Sequence, residues 1–298
     1  MINKLTIALI ALIVFINFCL CQSKHKQIIY DPICKITGQQ IWDIVNVPEK
    51  NIDIGLWPLI VAKEFDNTIN INLYMSKLDS ISNEINKMLA GRKSDMDIFL
   101  AVKMFQFENG VWINNKSFKY DLQDPFGYNL NNKLLSTYID THLGNCVSMP
   151  TLFLSLMERI DHNFHFRGVM APLHLFCRQR NRQTGDVWNI ETTNGGNPVR
   201  NQWYIEQLNI NQKSIDSGLY LSDLTKKEYI AELISILVSK YRKLEEYDMA
   251  MEYANLILRI NPNSDTGLVQ KCALSSWIAY NIELKAKNEN RAMTKSEL

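Results

Sequence analysis

The sequence predicts an α+β fold in which helices lead, antiparallel strands follow and helices return at the end. Three observations predict it. Apolar residues recur at three- and four-residue spacing through LWPLIVAKEF (56–65), INLYMSKLDSISNEINKML (71–89) and MDIFLAVKMFQF (96–107). The period then changes to alternation in FHFRGVM (164–170), LHLFCRQ (173–179) and VWNIETT (187–193), segments rich in aromatic and β-branched residues and separated by Ala-Pro and Thr-Gly-Asp turns. Helical spacing resumes at Lys226 and runs to about Tyr280. Runs of helix followed by hairpinned strands pack as α+β layers.

Taken in order, residues 22–48 read as irregular, punctuated by Pro32, Gly38 and Pro48. In the second helix Ile71, Met75, Leu78, Ile81, Ile85 and Met88 or Leu89 would line one face, and Gly91 closes it. Residues 108–131 are loop-rich, and NKLLSTYIDTHL (132–143) resumes helical spacing. The stretch THLGNCVSMPTLFLSLMERI (141–160) begins a strongly apolar helix, with Pro150 tolerable in its first turn. The domain plan is a leading segment at 1–21, a helical region at 22–125, the α+β core at 126–215, paired helices at 225–285 and a polar tail at 286–298.

Composition narrows the partners. The 298 residues are 46% hydrophobic and 10% aromatic, which suits a buried core rather than disorder. Lys and Arg number 32 against 31 Asp and Glu, with no long block of one sign, so the chain lacks the basic footprint of a nucleic-acid binder. Residues 1–21 carry Lys4 and then an apolar run, the pattern of a signal peptide. Export is expected, with cleavage before Gln22; a lipid on Cys21 and an uncleaved anchor are the alternatives. The six cysteines, at 19, 21, 34, 146, 177 and 272, match neither a metal knuckle nor a compact disulfide scaffold. An oxidising compartment would allow a pair such as Cys34 with Cys272, which sequence does not assign.

Cys146 stands between Gly144-Asn145 and the start of an apolar helix, where the dipole and unpaired amides favour a thiolate. Thiol chemistry further needs a base, a group to orient that base and donors for an oxyanion. His174 and Glu191 fall on two expected strands and could supply the first two, while the amides of Cys146 and its neighbours could supply the third. Alternation places His174 with Phe176, and Asn189 with Glu191, each on the face opposite the apolar neighbours. If those strands are adjacent, Glu191 can hold one imidazole nitrogen while the other faces Cys146. By itself this spacing is a weak signal, equally compatible with a packed thiol, a core histidine and a strand-edge carboxylate. His142, His162 and His165 read as surface or turn residues, and Cys177 as packing.

GNCVSMPTLFLSL, then PLHLF, then WNIETTNGG, in that order, resemble the Cys, His and Asp segments of the transglutaminase-like superfamily. The likeness covers roughly 51–210 and, more loosely, 225–265, and is similar to a bacterial branch with a helical prelude and a carboxy-terminal tetratricopeptide-like helix pair. It implies a papain-like core with Cys146 as nucleophile, His174 as base and Glu191 in the place of the usual Asp. Two positions depart from the pattern: Glu191 is one methylene longer than Asp, and Leu173 stands where that branch commonly has Gly. Asn194, Gly195 and Gly196 match the turn after the acid. In the last helices Leu237, Tyr241, Tyr247, Ala250, Ala254, Ile257 and Pro262 fall where a tetratricopeptide repeat packs; a lone repeat must dock on its own domain or a partner.

Two functions follow as expectations. One is an exported cysteine hydrolase or acyl transferase, of protease, deamidase or transglutaminase type, acting on amide bonds of a protein or peptide through Cys146, His174 and Glu191. The other is an idle core of the same fold whose helix pair binds a partner peptide. Some relatives depend on calcium, but the chain has no EF-hand loop, so no cofactor and no metal are expected. Contact with a membrane is expected only through the leading segment.

Overall fold

A computed structural model describes residues 40–161, 165–180 and 185–294. The leading segment 1–21 with Cys19 and Cys21, and also Cys34 and His162, lie outside the described residues.

Helix α1 (Leu56–Phe65) starts where the Asp53 carboxylate accepts from the Gly55 and Leu56 amides at 2.6 and 2.8 Å. Its residues Trp57 to Ala62 are all buried, as expected of a helix apolar on every side. Helix α2 (Ile71–Leu89) is capped by the Asn70 side chain and ends in left-handed Ala90 and Gly91. Its buried seam runs through Tyr74 and Ser82, leaving Met75 and Ile81 partly covered, because Tyr74 reaches across to donate to Asp140 at 2.6 Å. Helix α3 (Asp95–Phe107) is capped by Ser94. A parallel pair of two-residue strands, β1 (Lys119–Tyr120) and β2 (Leu143–Gly144), flanks helix α4 (Leu135–Thr141).

Helix α5 (Ser148–Ile160) forms the centre of the molecule: every residue from Ser148 to Met157 is buried. Its polar groups are bonded inside, Thr151 Oγ1 with Tyr229 Oη at 2.8 Å and Ser155 Oγ donating to the Ile54 carbonyl at 3.0 Å. Four antiparallel strands follow in sheet order: β3 (Phe166–Ala171), β4 (His174–Arg180), β5 (Val187–Glu191) and β6 (Asn197–Val199). The register Gly168↔Cys177↔Ile190 puts these three on the face that joins the core around α5, where the Cys177 thiol lies 3.8 Å from the Pro150 carbonyl. The opposite face, with Val169, Ala171 and Phe176, packs on Tyr204 of helix α6 (Asn201–Gln207) and on Ile210 and Leu221. Trp188, expected on the apolar side, is half exposed because β5 begins at the open end of the sheet. Helix α7 (Gln212–Asp216) is short and exposed, and β6, α6 and α7 were not anticipated.

Pro172 and Leu173 make the turn between the paired residues Ala171 and His174. Leu173 adopts φ 55° with its side chain 95% exposed. A left-handed leucine costs about 1–2 kcal/mol, which is the physical reason a glycine is at ease in this position. The exposed side chain lines the cavity that Cys146 and His174 also line.

Helix α8 (Lys226–Lys243) is started by a capping box of Thr225 and Glu228, and turns through left-handed Glu245 into α9 (Tyr247–Ile260). Helix α10 (Asp265–Asn288) completes the described chain. Leu237, Ala250, Ala254 and Ile257 are fully buried, and Tyr253 stacks on Trp42 and donates to Glu64 of α1 at 2.6 Å. One continuous cluster of buried residues, from Ile41 to Leu274, joins these helices to α1 through α5. Among the described residues no helix is long and apolar enough to cross a membrane.

Candidate active site

The turn that carries Cys146 is built from its neighbours. Pairing with β1 fixes Gly144, where any Cβ would lie 2.5 Å from both Ser148 Oγ and the Tyr138 ring; only glycine admits that approach. Beyond it the Asn145 Oδ1 accepts from the Val147 amide at 2.9 Å and from the Ser148 amide at 3.4 Å. Ser148 Oγ accepts from the Asn145 amide and donates to the Asn132 carbonyl, at 3.2 and 2.7 Å. These bonds close the turn and leave Cys146 partly exposed on a cavity of about 520 Å³ that His174 also lines.

The expected position at a helix start therefore needs correction. Cys146 lies in the turn leading into α5, two residues ahead of its first residue Ser148, and the Asn145 Oδ1 holds that turn through the Val147 and Ser148 amides. The expected oxyanion donors narrow accordingly. The Val147 and Ser148 amides are committed to Asn145, whereas the Cys146 amide has no acceptor among the described residues.

His174 opens β4 and Glu191 closes β5, and antiparallel pairing of these strands brings both side chains to one face. The His174 Nε2 and Glu191 Oε2 are 2.7 Å apart, so the extra methylene of Glu is accommodated. The charge at Cys146 also acts on His174, Nδ1 is the ring nitrogen not engaged by Glu191, and the Cys146 Sγ lies 3.9 Å from the Leu173 carbonyl. Sequence reasoning missed the two residues that hold the carboxylate. Thr193 gives its amide at 3.0 Å and its hydroxyl at 2.5 Å to Oε1, and Tyr204 donates to Oε2 at 2.8 Å. Tyr204 stacks on Phe176 at 4.1 Å, so it is fixed by packing as well. The apolar spacing of Trp203, Tyr204 and Leu208 was the available signal for this helix.

Burial opposes a charge on His174, but hydrogen bonds to Cys146 and Glu191, with their negative charges, push its pKa from 6.5 up to about 10. Burial also works against ionised Glu191, yet His174, Thr193 and Tyr204 hold its carboxyl below the ordinary 4.5. The imidazolium and carboxylate thus stabilise the fold together. The His174 contribution is complete below about pH 6.5 and is lost as pH rises through about 10; the Glu191 contribution is lost as pH falls through its lowered value. Urea denaturation across pH should show Glu191→Gln losing most relative to the parent near pH 5–6, with the gap closing toward pH 10 and toward low pH.

Among the described residues, neither His142 nor His165 lines the Cys146 cavity. His142 ends α4 in a left-handed conformation, stacked on Phe118 and with Nδ1 2.5 Å from the Lys116 carbonyl. Cys177 is fully buried and Cys272 is exposed. Among the described residues no group of three or more His, Cys, Asp or Glu is placed to hold a metal ion.

With this geometry in view, comparison with known proteins is informative. The model of a family described as the transglutaminase-like superfamily matches residues 72–233, more than half of the chain and the whole of the thiol, imidazole and carboxylate region. The UPF0162 protein of Buchnera aphidicola subsp. Baizongia pistaciae (strain Bp) is 25% identical over 163 residues, covering 52% of this chain. The chain spans 58% of that relative's length. No solved structure matches the chain.

Proposed function

Because the chain belongs to the transglutaminase-like superfamily, we propose that it is a cysteine-dependent hydrolase or acyl transferase acting on amide bonds of a protein or peptide. The observation that carries this reading is the 2.7 Å contact of His174 Nε2 with Glu191, which leaves the other side of the imidazole for Cys146 at a solvent-reached cavity. Protonated His174 is the counter-ion for a thiolate at Cys146. The sulfur attacks the amide carbon and forms an S–C bond. The C–N bond then breaks as His174 gives its proton to the departing amine. Water or a second amine next attacks the thioester, the S–C bond breaks and His174 takes the acceptor's proton. Water as acceptor gives hydrolysis or deamidation, and an amine gives crosslinking. The free Cys146 amide supports the developing oxyanion.

Glu191 orients the ring and Tyr204 and Thr193 hold Glu191, so these act as positioning residues. The idle-core alternative draws on the helix pair, the Glu191 and Leu173 departures and the lack of recognisable substrate subsites; the 2.7 Å approach of Glu191 to His174 is what favours the catalytic reading over it. We read α8 and α9 as a tetratricopeptide-like pair whose buried positions face α1, and the leading segment as an export signal that brings this chemistry outside the cytosol. The test is acyl trapping: with p-nitrophenyl acetate, intact-mass analysis should show one acetyl adduct, mapped by peptide digestion to Cys146 and absent in Cys146→Ala. No adduct on Cys146, or the same adduct pattern in Cys146→Ala, would reject the proposal.

A further inference from the structure

The cavity beside Cys146 has a wall that the proposed chemistry does not use. Lys133 ends the short turn Leu130–Lys133, whose neighbours Leu130, Asn132 and Leu134 are buried, so its stem is packed while its ammonium reaches the cavity. Among the described residues that ammonium has no hydrogen-bond or ion-pair partner. Of the negative groups, Cys146 acts on it most and Asp124 next, and the Asp124 oxygens are taken by the Tyr128 and Asn129 amides and the Asn132 carboxamide, at 2.8, 3.0 and 3.0 Å. Lys243, which also acts on Lys133, adds positive charge and donates to the Tyr128 carbonyl at 3.0 Å.

Beside Lys133 sits a second donor without an acceptor. Asn145 is 2% exposed, and its Oδ1 is held by the Val147 and Ser148 amides, which fixes the carboxamide and turns Nδ2 the other way. Nδ2 is buried and unbonded. The two donors meet at Gly127, which is left-handed at φ 64°: a Cβ there would lie 3.1 Å from Asn145 Nδ2 and 3.8 Å from Lys133 Nζ. A buried donor left without an acceptor carries an uncompensated desolvation cost. An anion at this wall would satisfy the ammonium and bring a charge against the carboxamide beside it. Burial already draws the Lys133 ammonium below its ordinary pKa, so a bound anion would relieve a cost present in the empty cavity.

We infer that Lys133, with Asn145 behind it, forms a subsite for a free carboxylate on the substrate, so that the amide presented to Cys146 belongs to the carboxy-terminal end of a short peptide. This deepens the acyl-transfer reading and rests on it. A carboxylate rather than a larger anion fits because the site has one ammonium and one amide donor beside a thiol that acts on acyl carbon, and an amino-acid residue carries both groups within a few bonds.

The test separates the subsite from the chemistry by removing the thiol. Binding of N-acetylglycylglycine and of its carboxy-terminal amide to Cys146→Ala is measured by isothermal titration calorimetry. The free acid should bind about tenfold more tightly than the amide. Adding Lys133→Gln should equalise the two, and Lys133→Arg should retain the preference, which guards against loss through misfolding. Equal affinity of acid and amide, including failure of both to bind, or a preference that survives Lys133→Gln, would overturn the subsite. A carboxylate preference without acetyl transfer to Cys146 would instead reject the chemistry and leave the subsite standing.

Discussion

His174→Ala is expected to slow acetylation of Cys146 by p-nitrophenyl acetate by about 10²–10⁴-fold, the usual worth of a positioned acid–base group. The ring holds Glu191 at 2.7 Å and interacts electrostatically with Cys146. Its removal takes away the counter-ion of the sulfur and the proton that the leaving group needs. Glu191→Gln should cost less, since it leaves a ring that is misoriented rather than absent. The measurement is the second-order rate of p-nitrophenolate release, compared with parent and Cys146→Ala after subtraction of the uncatalysed rate. A His174→Ala rate within about twofold of the parent, in a variant with unchanged melting temperature, would remove His174 from the reaction.

Arg178→Ala should lower stability by about 3–5 kcal/mol, the cost of breaking a buried ion pair on one side. Arg178 is 5% exposed, and its guanidinium serves four partners: Asn189 Oδ1 at 2.8 Å, the Leu221 carbonyl at 2.8 Å, Asp223 at 3.0 Å and Asn201 Oδ1 at 2.9 Å. Asp223 keeps Arg180 at 2.9 Å, but Asn189 and the Leu221 carbonyl lose a buried donor. Arg178→Lys should recover little, because an ammonium cannot reproduce the planar fork. Asn201 begins α6, and α6 carries the tyrosine that holds Glu191. The substitution should therefore depress acyl transfer even where the protein is still folded. Urea denaturation of both variants checks the stability, and a loss under about 1 kcal/mol for Arg178→Ala would show that the network is not coupled as drawn.

The sequence carried the helices more faithfully than the loops. The periodicity of residues 56–65 and 71–89 matches α1 and α2, since a helix face is a local repeat that each turn reports. Strands β3, β4 and β5 were likewise legible from alternation. The pair β1–β2 was not. Each strand has two residues, too few for any period, and the pairing joins Tyr120 to Gly144 across the whole of α4. Tyr204 and Arg178 were invisible as supports of the site for a related reason. Their importance lies in partners reached through the fold: for Tyr204, the carboxylate of Glu191, and for Arg178, groups drawn from β5, the loop at 221–223 and α6.

By itself, then, the sequence determined which residues could do thiol chemistry, the succession of helix and strand that would carry them, and the likeness of GNC, PLHLF and WNIETT to one superfamily. Only the tertiary structure decided that β4 and β5 are neighbours in the register that sets Glu191 against His174. It alone set the thiol in the turn that Asn145 holds ahead of α5, and left the Lys133 ammonium with no hydrogen-bond or ion-pair partner among the described residues. The physical reason is that side-chain periodicity records which face a residue occupies, whereas distances between faces depend on strand register and turn capping. Those are set by bonds between residues far apart in the chain.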